Sequence, residues 1–90
     1  MHYKPLRAKR YTEKALQADL EVLNKALAEK GHGLRFQWGS SYGRSDVNLA
    51  TPEQMEQHCC QRRLHAGTPK ECLQAAEHYI ATLLLSENFA

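Results

Sequence analysis

A chain of 90 residues, 42% hydrophobic and 24% charged with five Gly and three Pro, has material for one core, because a domain of this size buries only roughly 60–65% of the surface its unfolded chain exposes. The composition excludes collagenous, low-complexity and wholly disordered chains. The longest apolar run, Ile80 to Leu85, is broken by Thr82 and falls short of the ~20 residues that span a bilayer, so no membrane contact is expected. The net charge of +2 hides an asymmetry: Lys4, Arg7, Lys9 and Arg10 cluster at the N-terminus with no acid among them, leaving a mildly acidic remainder. Residues 1–11 therefore read as a basic arm, either a solvated terminus or a contact for phosphates or an acidic protein surface. The arm does not read as a secretory signal. Three cysteines, with Cys59 and Cys60 adjacent, read as free thiols of a reducing compartment, and the cytoplasm is the expected location.

Leu16, Leu20, Leu23 and Leu27 recur at steps of four, three and four, one stripe of an α-helix. Thr12 suits the N-cap, Glu13 the positive helix end and Gly31 the left-handed closure, so the spacing predicts a helix over 12–30. After Gly33 the period drops to two: Leu34, Phe36 and Trp38 alternate with polar residues, and so do Val47 and Leu49. This predicts a β-hairpin with strands at 34–39 and 44–50 and a tip from Gly39 to Arg44. The tip lacks the Lys-Ser/Thr ending of a phosphate-binding loop and opens no helix, so it reads as an ordinary turn. Tyr42 within it has no core position and is a candidate contact residue.

Thr51-Pro52-Glu53 opens like a helix, yet a continuous helix to His65 would set Leu64 nearly opposite Met55 and Cys59, a poor core-facing pattern. Two readings stay open: a short helix over 52–58, broken near His58 to Cys60 and followed by an extended stretch through Arg62 and Leu64 that pairs as a third strand, or the continuous helix. Thr68-Pro69-Lys70-Glu71 is a capping box with proline at the first helical position, and Leu73, Ala76, Ile80, Leu83 and Leu84 carry a helix over 69–86. The expected fold is α+β: one small domain over 12–90, with the first and last helices packed on one face of a small antiparallel sheet. Its expected core is Leu16, Leu20, Leu23, Leu27, Phe36, Val47, Leu49, Leu73, Ile80 and Leu83.

Little in the chain points to catalysis. His58, Cys59, Cys60, His65, Cys72 and His78 lie close in sequence but lack the knuckle spacing of a zinc site, so no metal is expected. Cys72 sits in the first turn of the last helix and reads as core rather than nucleophile. No paired carboxylates, nucleophile elbow or dinucleotide glycine pattern occurs, so neither catalytic residues nor a cofactor are expected, and the chain reads as a nonenzyme.

Two resemblances bear on partners. If the middle segment is a strand, the order helix, three strands, helix resembles that of double-stranded-RNA-binding domains. That makes Lys4, Arg7, Lys9, Arg10, Arg35, Arg44, Arg62 and Arg63 a candidate nucleic-acid surface. Such domains carry a basic cluster where this chain has Lys70 beside Glu71, and the sequence pI near 8.5 is below the ~9 of dedicated binders.

The second resemblance rests on Phe36-Gln37-Trp38-Gly39-Ser40-Ser41-Tyr42-Gly43 and on Arg63-Leu64-His65-Ala66-Gly67-Thr68-Pro69-Lys70-Glu71-Cys72. With the leucine-striped helix, these look like small uncharacterised proteins encoded by bacteriophages and prophages, in the order of elements over residues 12–86 and in the Leu-x-x-Gly-Thr-x-x-Glu helix start. The resemblance implies an accessory role by binding a host macromolecule. The leading expectation is a noncatalytic protein–protein interaction module, an inhibitor of a host protein or defence complex, contacting its partner through Tyr42, Arg44, Arg7, Lys9 and Arg10. Sequence-independent nucleic-acid binding is the alternative, and a homodimer is left open.

Overall fold

The structure, a computed structural model, describes residues 10–89, so Lys4, Arg7 and Lys9 of the basic arm lie outside the described residues. The elements are α1 (Glu13–Glu29), β1 (Arg35–Ser41), β2 (Arg44–Ala50), α2 (Pro52–Glu56), β3 (Arg62–Gly67) and α3 (Pro69–Phe89). The strands form one antiparallel sheet in the order β1-β2-β3, and α1 and α3 cover one face of it, giving the expected α+β domain.

Local chemistry explains the helix ends. The Thr12 hydroxyl accepts from the Ala15 N–H at 3.1 Å. At the other end Gly31, at φ +76°, lets its own N–H reach the Ala28 carbonyl and the His32 N–H reach that of Leu27, each at 3.0 Å; this double closure needs a left-handed residue, which glycine supplies without a Cβ clash. At the start of α3 the Glu71 N–H donates to the Thr68 hydroxyl and the Thr68 N–H to the Glu71 carboxylate, each at 3.2 Å. These reciprocal bonds satisfy two amides that helix geometry leaves without partners.

The covered face buries Leu16, Leu20 and Leu27 of α1 against Phe36, Val47 and Leu49 of the sheet and Cys72, Leu73 and Ala76 of α3. A fully buried Phe or Leu side chain contributes roughly 1.5–3 kcal/mol, so this single layer supplies the main stabilising term. Leu23, Ile80 and Leu83, expected in the core, are only partly buried at its border, while Cys72 and Ala76 are fully enclosed. The reason is where α3 meets the sheet: its first turns press on β2 and β3, and its far end continues to Phe89, beyond the expected end at 86, leaving Leu84 and Leu85 exposed.

The middle segment takes the strand form. α2 ends at Glu56, His58 adopts φ +59°, a left-handed conformation in which histidine is enriched among non-glycine residues, and β3 begins at Arg62. The hairpin tip is shorter than expected. Strand β1 runs on to Ser41, which pairs with Arg44, so the six-residue tip read from Gly39 to Arg44 is a two-residue turn of Tyr42 and Gly43.

Phe36 fixes how β1 sits. The Asn24 side chain on α1 accepts from the Phe36 N–H at 2.7 Å and donates to its carbonyl at 3.0 Å, and the Phe36 ring meets that of Tyr79 edge-on at 5.8 Å. Asn24→Ala removes both bonds and leaves two part-buried backbone groups unpaired; it is expected to cost about 1–3 kcal/mol in urea unfolding, with the midpoint lowered and the slope unchanged.

Candidate interaction site at the hairpin tip

The face of the sheet left uncovered by α1 and α3, with α2 and the turn after it lying over the end away from the hairpin tip, carries the candidate site. Along β1 and β2, Phe36, Trp38, Ser45, Val47 and Leu49 point toward the helices, so Gln37, Gly39, Ser41, Arg44, Asp46 and Asn48 point the other way. Gly39 pairs with Asp46, and a Cβ there would run into the Asp46 carboxylate. The missing side chain is what lets that carboxylate lie across β1, where its Oδ1 accepts from the Asn48 amide at 2.8 Å.

Strand β3 adds an arginine by means of an irregularity. Val47 pairs with His65 but Asn48 with Arg63, so Leu64 is an extra residue in the ladder. The bulge lets Leu64 pack against the core and puts Arg63 on the uncovered face. There Arg63 joins Ser41, Tyr42, Arg44, Asp46 and Ala66 around a shallow cleft of about 320 Å³. Two guanidinium groups thus face one carboxylate at the tip, a locally cationic cleft.

Tyr42 is the unusual member. It is 100% exposed and takes φ +53°, followed by Gly43 at +74°. Two-residue hairpin turns with both residues left-handed favour Asn-Gly and Asp-Gly, because a larger L side chain in that conformation costs roughly 1–2 kcal/mol. An aromatic ring is thus held in water at a position whose backbone disfavours it.

The charge of Arg44 is also felt at the start of α3. Glu71 there is held below the ordinary glutamate range, first by the Thr68 N–H, then by the His65 ring at 3.3 Å, with Arg44 adding a smaller attraction. In the interior, burial pushes the Cys72 thiol up, a state that disfavours the reactive thiolate. Burial likewise pushes the Tyr11 phenol up, aided by its bond to Asp19 at 2.5 Å. Tyr11 is packed against the core and under the Lys70 ammonium, 5.4 Å from the ring centre.

The expected site residues separate into groups. Tyr42 and Arg44 meet at the cleft, joined by Arg63, which the sequence offers only as part of the nucleic-acid set. Arg10 is exposed ahead of α1. Arg35 lies six residues from Ser41 along β1, about 20 Å away, and its Nη1 donates to the carbonyls of His32 and Leu34 at 2.6 and 2.8 Å. Arg62 faces the other side of the sheet, in a groove with Leu64, Ala75, His78 and Tyr79. Among the described residues no three His, Cys, Asp or Glu side chains gather as a metal site, and no helix is long and apolar enough to cross a membrane. Cys59 and Cys60 are exposed and Cys72 buried, all unpaired.

Comparisons with family models, curated proteins and solved structures return no match.

Two variants test this geometry. Tyr42→Asn keeps the turn and suits its backbone, so it is expected to stabilise the fold by about 1 kcal/mol in urea unfolding. Glu71 has a folded pKa below its unfolded value, so its contribution is full above an unfolded value of ~4.3 and is lost as pH falls through the folded value. Glu71→Gln retains an oxygen for the Thr68 N–H but cannot titrate. Its stability is therefore expected to fall less steeply with acid than the wild type, measured by thermal unfolding from pH 6 to pH 2.

Proposed function

We propose that the chain is a noncatalytic protein–protein interaction module that meets its partner through the hairpin tip. The observation that carries this reading is Tyr42: a fully exposed aromatic held at a left-handed turn position, beside a cleft with Arg44 and Arg63. Tyrosine and arginine are the side chains that most often supply binding hot spots, and backbone strain of this kind concentrates where function uses it. The surplus of positive charge in the cleft favours an acidic surface on the partner. The resemblance to phage-encoded accessory proteins extends the proposal to an inhibitor that occludes a host protein or complex.

A second reading, nucleic-acid binding, draws support from the third strand. With β3 formed, three strands lie between α1 and α3 as in double-stranded-RNA-binding domains, although α2 interrupts that order. The arrangement of the arginines favours the first reading, because Arg35 is engaged with backbone carbonyls and Arg62 and Arg63 face opposite sides. No continuous basic track forms among the described residues.

Affinity capture from a bacterial lysate, followed by kinetics on the captured protein, tests the proposal. Tyr42→Ala is expected to raise the dissociation rate by roughly 5–150-fold, the equivalent of about 1–3 kcal/mol. Arg44→Glu combined with Arg63→Glu is expected to slow association, with the difference fading in high salt. Unchanged kinetics in both variants would place the contact elsewhere. Tight binding of duplex RNA or DNA that collapses between 50 and 200 mM salt would favour the second reading.

A further inference from the structure

The Asn24 bonds to Phe36 also reveal the state of the sheet edge. Because they take both backbone polar groups of Phe36, that residue's N–H and carbonyl point away from β2. An antiparallel ladder alternates, so the N–H and carbonyl of Trp38 and of Ser40 point outward in the same way. Among the described residues no hydrogen bond reaches these four groups. The free edge is bounded by Asn24 at one end and by the Tyr42–Gly43 turn at the other.

Cavities flank this edge on both sides. One of about 160 Å³ lies toward α1, beside Gln17 and Glu21, and one of about 340 Å³ lies toward the uncovered face, beside Gln37 and His58. Trp38 and Met55 line both. The Trp38 indole N–H is buried without a hydrogen-bond partner among the described residues, an unpaired donor in the wall common to the two. A strand laid along β1 directs successive side chains to opposite sides, and therefore into the two cavities in turn.

Charge selects the occupant. Glu13, Gln17 and Glu21 lie one helical turn apart along α1, and the Glu13 carboxylate reaches Ser40 on the edge itself at 3.3 Å. A second copy paired antiparallel through β1 would bring Glu13 and Glu21 against their own counterparts, a like-charge contact. An extended segment with Lys or Arg on alternate residues meets them with opposite charge. We propose that the β1 edge receives such a segment of a partner protein by strand addition, its backbone pairing with Trp38 and Ser40, its basic side chains toward Glu13 and Glu21 and its apolar ones toward Met55 and Gly39. This contact is separate from the hairpin tip and stands or falls independently of it.

The probe is the peptide acetyl-Val-Lys-Val-Lys-Val-Lys-Val-amide, titrated into the full chain with amide exchange followed by NMR. Binding is expected to slow exchange at the Trp38 and Ser40 amides by at least tenfold. Ser40→Pro removes one outward N–H without touching the ladder to β2 and is expected to weaken binding tenfold or more; Glu21→Lys should weaken it several-fold, and Tyr42→Ala should leave it unchanged. N-methylated peptides supply an arm that leaves the protein's own folding untouched: methylation in the frame that faces β1 abolishes binding, and methylation in the other frame does not. The proposal is overturned by binding without added protection at Trp38 and Ser40, by equal tolerance of both methylation frames, or by an alternating Asp-Val peptide binding as well as the Lys-Val one. Self-association in sedimentation that protects the same two amides would assign the edge to a second copy and overturn it equally.

Discussion

Phe36 is held by three elements at once. Its backbone is taken up by Asn24 of α1, its ring stands edge-on against Tyr79 of α3, and its ladder position faces Leu49 of β2. This sets the parity of β1. In a strand the side-chain period is two, so a slip of one residue would expose Phe36 and Trp38 and bury Arg35 and Gln37. With α1 and α3 on one face only, that slip is costly in apolar burial, and the two hydrogen bonds from a single amide side chain add a second penalty to it.

Once parity is set, the two proposed contact surfaces follow. The residues that alternate with the core, from Gly39 and Ser41 to Arg44 and Asp46, form the uncovered face near the tip. The same alternation turns the polar groups of Trp38 and Ser40 outward. Two surfaces of different character result: a small cationic cleft crowned by an exposed aromatic, and a strand edge beside acidic side chains. The bulge at Leu64 serves both core and surface, because one extra residue satisfies the apolar layer and still delivers Arg63 to the cleft.

Much of the architecture is legible in local patterns. The leucine stripe of α1, the closure at Gly31, the capping box at Thr68 and the period-two runs of the hairpin each report a short-range preference that tertiary packing leaves intact. The tip is less legible because Tyr42-Gly43 lacks the Asn or Asp that normally announces so tight a turn. The role of Asn24 carries no local signal: a polar residue beside a leucine stripe looks like part of a solvated face until the strand it serves is in place. Arg63 is hidden for a similar reason, since its direction depends on where the bulge falls. Arg35 reads in the sequence as part of the candidate nucleic-acid surface, and only the approach of the chain after α1 shows its guanidinium bound to backbone carbonyls.

The most direct test of this account is residue-resolved hydrogen exchange on the unliganded chain, read along β1. The account predicts alternation: slow exchange at the amides of Phe36, Gln37, Gly39 and Ser41, which are bonded to Asn24 or to β2, and fast exchange at Trp38 and Ser40, which face outward. Slow exchange at Trp38 and Ser40 with fast exchange at Gln37 and Gly39 would contradict it, because it would mean that β1 pairs with the opposite parity and that Phe36 does not anchor the sheet.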